Sequence, residues 1–134
     1  MILLDTHIWI WWVDDNQRLT NQLRQYLQEH EVDGFGVSII SCWEVAKLVE
    51  RNRLQFNCPI ERWLEQALNY PSIYLLPLTL PVILDATRLP QPFHRDPADQ
   101  LIVATARLHQ LPLLTVDQNI LSYSHVTTVS FDNK

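Results

Sequence analysis

Asp96-Pro97-Ala98-Asp99-Gln100-Leu101-Ile102-Val103-Ala104-Thr105-Ala106, continuing to Gln110 and then Leu113-Leu114-Thr115-Val116-Asp117, is the stretch that decides the fold. Asp96 ahead of Pro97 reads as a helix start, because the aspartate caps free backbone N–H groups and proline is tolerated at the first helical position. The spacing predicts a helix over Asp96–Gln110 and a strand over Leu113–Val116. A helix that leads straight into a short apolar strand, ending on an acid, is the signature of alternating α and β elements.

The same alternation extends outward. Ile2–Asp5 reads as a buried strand and His7–Val13 as a short tryptophan-rich helix. Leu19–Glu31 has helical spacing, with Leu23 and Leu27 on one face. Phe35–Ser38 and Ile73–Leu76 read as strands, and Ser41–Asn52, Ile60–Tyr70 and Val82–Leu89 as helices. Pro90-Gln91-Pro92 breaks the chain, and Val126–Val129 reads as a last strand. Strands separated by helical segments imply an α/β fold, a three-layer α/β/α sandwich around a central parallel sheet. The 134 residues make one domain, 1–134.

Composition excludes several classes. Hydrophobic residues at 47% and charged residues at 19% suit a packed core rather than a disordered chain. No apolar run approaches the roughly 18–20 residues of a membrane span, and Asp5 and His7 interrupt the opening apolar stretch, unlike a signal peptide. Cys42 and Cys58 are not ligand-spaced and read as reduced thiols, so a cytoplasmic protein is expected. Only Gly34 and Gly36 are present, which excludes glycine-rich phosphate loops. The net charge of −5 is unusual for a nucleic-acid binder unless acids are clustered on a cation.

The acids are where such a cluster would form. Asp5 ends the first strand, Glu44 lies in Ser41-Cys42-Trp43-Glu44 after the second, Asp96 and Asp99 open the clearest helix, and Asp117 closes the fourth strand. In a parallel sheet these positions fall along the carboxyl edge, where sites gather. Carboxylates held together repel, and a divalent cation removes that penalty. Oxygen ligands without a histidine or cysteine set suit Mg²⁺ or Mn²⁺, which can activate water against a phosphodiester. Each acid also has a structural reading. Ser41 and Glu44 can form a capping box, Asp96 can cap its helix, Asp99 can favour the helix dipole, and Asp5 and Asp117 can cap turns.

The ordered set Leu3-Leu4-Asp5-Thr6-His7, Ser38-x-x-Ser41-x-Trp43-Glu44, His94-Arg95-Asp96-Pro97-x-Asp99, Ile102-Val103-Ala104-Thr105-Ala106 and Leu114-Thr115-x-Asp117 resembles the PIN-domain family, in particular the VapC-type toxins of bacterial toxin–antitoxin pairs. The match runs from Met1 to about Val129. The resemblance implies Mg²⁺- or Mn²⁺-dependent RNA cleavage with Asp5, Glu44, Asp99 and Asp117 as the catalytic acids. The metal is expected at Asp5, Asp99 and Asp117, with Asp96 as an additional acid and Thr115 as a hydroxyl contact. It further implies a homodimer and a cognate antitoxin partner. One position departs from many relatives, which carry arginine after the second aspartate where this chain has Gln100.

Other residues bear on substrate. Lys47 and Arg51 share a helical face and, with Arg95 near the acidic edge, could hold RNA phosphates. His7 and His94 sit beside acids and are assigned structural or substrate-positioning roles. Of the five tryptophans, Trp63 and Trp43 are expected in the core, and part of the Trp9–Trp12 cluster at a surface or interface. The alternatives to a ribonuclease are a non-catalytic PIN-like binding module, whose acids are caps and partner contacts, and a DNA or structure-specific nuclease on the same scaffold.

Overall fold

The computed structural model describes residues 1–131. Four short strands, β1 (Ile2–Leu4), β2 (Phe35–Ser38), β3 (Ile73–Leu76) and β4 (Leu113–Leu114), form one sheet in the order β3-β2-β1-β4, every pairing parallel. The crossovers are helical: α1 (Thr6–Val13), α2 (Asn21–His30), α3 (Ile39–Glu50), α4 (Ile60–Leu68), α5 (Leu80–Thr87) and α6 (Pro97–His109), with α7 (Gln118–Leu121) after β4.

Strand alternation sorts the core into two layers. Ile2 and Leu4 of β1 and Leu114 of β4 face a cluster with Trp9, Leu27, Phe35, Val45 and Trp63. Leu3 and Leu113 face the opposite cluster, with Ile102, Val103 and Ile120. The sheet is therefore covered on both faces, which is why β1 and β2 are buried at every residue. The three-layer α/β/α expectation holds.

Local departures have local causes. The helix expected from Ser41 starts at Ile39, because Ser38 is the cap and its Oγ accepts from the Ile40 N–H at 3.2 Å. The Ser41 and Glu44 capping box therefore does not form; both side chains turn to Thr6 instead. β4 stops at Leu114, since Thr115 leaves the ladder to bond Asp5 at 2.6 Å. The strand expected at Val126–Val129 is reduced to one parallel bridge, Leu113 to Thr128. With Thr127 exposed and its neighbours half-buried, that segment lacks a continuous buried face to extend the pairing. α7 was not read from the sequence.

The tryptophans divide differently from expectation. Trp9 and Trp63 are buried and meet edge to face at 5.2 Å. Trp11 and Trp12 are half-buried against the same core. Trp43 is 52% exposed, because α3 turns Ser41 and Val45 inward and leaves residue 43 on the outer side. The expectation that Trp43 is core is corrected.

Candidate active site

One residue separates β1 from α1, and that residue is Asp5. It takes extended backbone angles and caps the helix, its Oδ1 accepting from the Thr6 N–H at 2.8 Å. Its Oδ2 accepts from the Thr115 hydroxyl at 2.6 Å, and that hydroxyl oxygen in turn accepts from the Asp117 N–H at 3.0 Å. Asp5 is buried at the carboxyl end of β1, beside the end of the edge strand β4.

Glu44 reaches the same edge from α3. The Thr6 hydroxyl donates to Glu44 Oε1 at 2.5 Å. Thr6 has a single hydroxyl proton, so the 2.8 Å contact between Thr6 Oγ1 and Ser41 Oγ is a bond donated by Ser41. Ser41 and Thr6 are both buried, and this relay fixes the Glu44 carboxylate beside Asp5.

α6 brings two more acids. Asp96 caps the helix, its Oδ1 accepting from the Asp99 N–H at 3.1 Å. Asp99 turns inward from the first turn, its side chain only 15% exposed. His94 Nε2 lies 3.1 Å from Asp99 Oδ2, close enough for an ion pair when the ring is protonated. The approach is poorly directed, and His94 Nε2 is buried without a well-formed hydrogen bond. The Gln100 amide donates to the His94 carbonyl at 3.2 Å and anchors that loop. Asp117 caps α7 through the Asn119 and Ile120 N–H groups at 2.8 and 3.3 Å.

The five acids predicted from sequence come together. Burial first, then the charges of Asp5, Asp96, Asp117 and Glu44, push Asp99 up to about 8. Burial pushes Glu44 up to about 7, with Asp5 and Asp96 adding to it against the Thr6 hydrogen bond. Asp5 is also raised, chiefly by burial. Among the described residues, no lysine or arginine pairs with any of the five. His94, Asp99 and Asp117 each offer a ligand atom, all within 4.8 Å of one another. Uncompensated buried carboxylates beside an unpartnered imidazole nitrogen suit a hard divalent cation. His94 was not read as part of the donor set, because its place depends on how the 91–95 loop folds back onto α6.

The basic residues separate. Lys47 and Arg51 line a cavity of about 320 Å³ together with Arg53, Trp43, Glu44 and Asp96. Arg95 is exposed and lies outside that lining. Arg53 was not singled out from the sequence, since it follows α3 and has no helical register.

Comparison with known proteins accords with this arrangement. The family model described as PIN domain matches residues 2–126. Ribonuclease VapC22 of Mycobacterium tuberculosis is 37% identical over 129 residues, covering 96% of each chain. A crystal structure of VapBC2 from Rickettsia felis, bound to a DNA fragment from their promoter, superposes with a TM-score of 0.73 at 14% identity, over 98% of this chain and 100% of that one. A toxin–antitoxin complex from Klebsiella pneumoniae gives 0.66 at 22% identity, over 96% and 97%. At these identities the two structures speak to the fold.

Proposed function

The chain belongs to the PIN-domain family, among its VapC-type ribonucleases, and from that premise we propose that it is an endoribonuclease hydrolysing RNA phosphodiester bonds with Mg²⁺ or Mn²⁺. One observation carries the reading. Asp5, Asp96 and Asp117 each cap a helix, so structure alone could account for them. Asp99 and Glu44 cap nothing, yet they are the acids that burial and neighbouring charge push up to about 8 and about 7. A fold does not gain from holding such groups together unless a cation completes them.

Asp5, Asp99 and Asp117 would hold the metal, with Asp96 at the rim and His94 as a further donor. A bound Mg²⁺ or Mn²⁺ supplies charge stabilisation at phosphorus and acidifies water. Thr115 orients Asp5, and Thr6 orients Glu44. Glu44, near neutrality in its pKa, can hold a proton at Oε2 or release it as the attacking water and the leaving oxygen require. Lys47 and Arg51 lie where RNA phosphates would leave the acidic edge, and Arg95 stands on the exposed approach to α6. One domain over residues 1–134, a homodimer and a cognate antitoxin complete the proposal; the solved neighbours that are toxin–antitoxin complexes support the last. Among the described residues no helix is long and apolar enough to cross a membrane.

The test is cleavage of a mixed RNA pool by purified protein, with Mg²⁺ or Mn²⁺ and with EDTA, beside a folded Asp99→Asn protein. Cleavage that requires metal and vanishes in the variant supports the proposal. Equal cleavage by both proteins refutes the assigned site, and no metal-dependent cleavage at high enzyme concentration, with any co-purified partner removed, favours a binding module.

A further inference from the structure

We infer that the cavity beside the acid cluster is a single-stranded RNA subsite in which Trp43 stacks a base and Lys47, Arg51 and Arg53 hold the flanking phosphates. The inference rests on the ribonuclease reading and adds to it the residue that grips a base beside the acid cluster.

Trp43 is the starting point. It is 52% exposed, so burial does not account for its place on α3. Lys47 Nζ lies 5.7 Å from the centre of its ring, so the aromatic face already sits in a positive field. Trp43, Lys47 and Arg51 follow one another at intervals of four along α3 and its C-cap, and so stand on one side of the helix. At ~1.5 Å per residue they make a line about 12 Å long. Arg53 joins the same cavity from the turn beyond.

Charge placement is the second observation. The chain carries 10 lysines and arginines against 15 acids. Arg24 and Arg107 are committed to Asp15 and Asp85. Lys47 shares an exposed contact with Glu50, whereas Arg51 and Arg53 have no ion pair among the described residues. Three cations thus line one cavity, and that cavity also takes in Glu44 and Asp96 of the acid cluster. A polyanion crossing five acids on an acidic protein needs compensating charge close by, and this wall supplies it. Its ~320 Å³ lies in the range of small-ligand sites.

An aromatic face beside arginines is how single-stranded nucleic acid is held: the ring takes a base of any identity and the cations take the backbone. An acidic peptide would use the cations and leave the ring idle. Duplex RNA keeps its bases stacked on one another and cannot offer one to Trp43.

The experiment uses the full chain as its cleavage-deficient Asp99→Asn form and a short fluorescent oligouridylate, read by anisotropy across a salt series. Trp43→Ala is expected to weaken binding by about tenfold, from the ordinary size of base–aromatic stacking, and Trp43→Phe to restore most of it. Neither change should alter affinity for the same strand held in a duplex. Arg51→Ala and Arg53→Ala should each flatten the salt dependence by about 0.7 in log–log slope. Since the ring is exposed, unchanged thermal melting is expected for both Trp43 variants. If the parent cleaves RNA with metal while Trp43→Ala binds the strand as tightly as before, the subsite is wrong and the ribonuclease reading stands. If Trp43→Ala instead loses binding to polyglutamate and keeps it to RNA, the cavity docks protein and the inference is overturned. A parent that neither binds nor cleaves RNA overturns both.

Discussion

Replacing Asp99 by asparagine should stabilise the metal-free protein, and the gain should depend on pH in a specified direction. Asp99 ordinarily loses its proton near 3.8, and in the fold it retains it up to about 8. Between those values the unfolded chain has released a proton that the folded chain still binds. Stability of the metal-free parent therefore falls as pH rises from about 4 towards 8, then levels off. At about 1.4 kcal/mol for each pH unit, the ceiling at pH 7 is roughly 4 kcal/mol. The neighbouring acids share protons and the rim admits water, so about half of this, ~2 kcal/mol, is the expected gain for Asp99→Asn at pH 7. For a chain of this size that is a rise in Tm of about 6–10 °C.

Urea or thermal unfolding of both proteins in EDTA, at steps from pH 4 to pH 9, reads the effect. The gain should shrink towards zero near pH 4, close to the ordinary carboxylate value, where the folded and unfolded chains no longer differ much in the proton bound at residue 99. Added Mg²⁺ or Mn²⁺ should raise the parent's Tm by mass action and leave the variant's nearly unmoved. A variant less stable than the parent at pH 7, or a gain of equal size at pH 4.5 and pH 7.5, would refute the claim that repulsion and burial act on this carboxylate.

Three further substitutions separate structure from chemistry. Thr6→Val removes the donor to Glu44 and leaves the buried Ser41 hydroxyl without an acceptor; denaturant unfolding should show a loss of about 1–3 kcal/mol, and single-turnover cleavage should slow even where the protein is fully folded. Asp117→Asn should keep the cap on α7 and lose metal-supported cleavage, whereas Asp117→Ala should lose both, with about 0.5–2 kcal/mol of stability; equal activity in the asparagine variant and the parent would remove Asp117 from the metal set. Gly34→Ala should destabilise by more than about 1 kcal/mol by calorimetry, because residue 34 sits at φ 85° and a Cβ there would stand 2.7 Å from the Tyr74 ring, and a cleavage rate unchanged at permissive temperature would confirm that this effect stays in the fold.

How much of this was legible in the sequence depends on how each element ends. Asp96 with Pro97 announced α6, and the structure caps it there. Asp5 was legible because β1 passes into α1 across one residue, leaving that position no other place than the carboxyl edge. Two serines three apart were not separable by pattern: Ser38 and Ser41 both suit a cap, and packing decided, since only Ser41 can reach Thr6 once α1 and α3 lie side by side. Trp43 was misassigned for a related reason. Composition places tryptophan in cores, and only the rotation of α3, set by Ser41 and Val45 facing inward, turns it outward. His94 and Arg53 lie in segments without periodicity, where sequence carries no directional signal.

The acids themselves show why single motifs under-determine function in this fold. A strand that passes directly into a helix needs an N-cap at its carboxyl end, and aspartate serves well there. The same edge is where a cation site forms, so one residue satisfies both demands and its presence cannot tell them apart. Asp5 and Asp117 are of this kind. The distinction comes from Asp99, in the first turn of α6, and Glu44, in the second turn of α3, whose side chains cap nothing and whose charge burial makes unfavourable. A change at those two sites therefore reads the chemistry with the capping left in place, and this is why Asp99, rather than the more deeply buried Asp5, is the residue on which the functional reading should be tested.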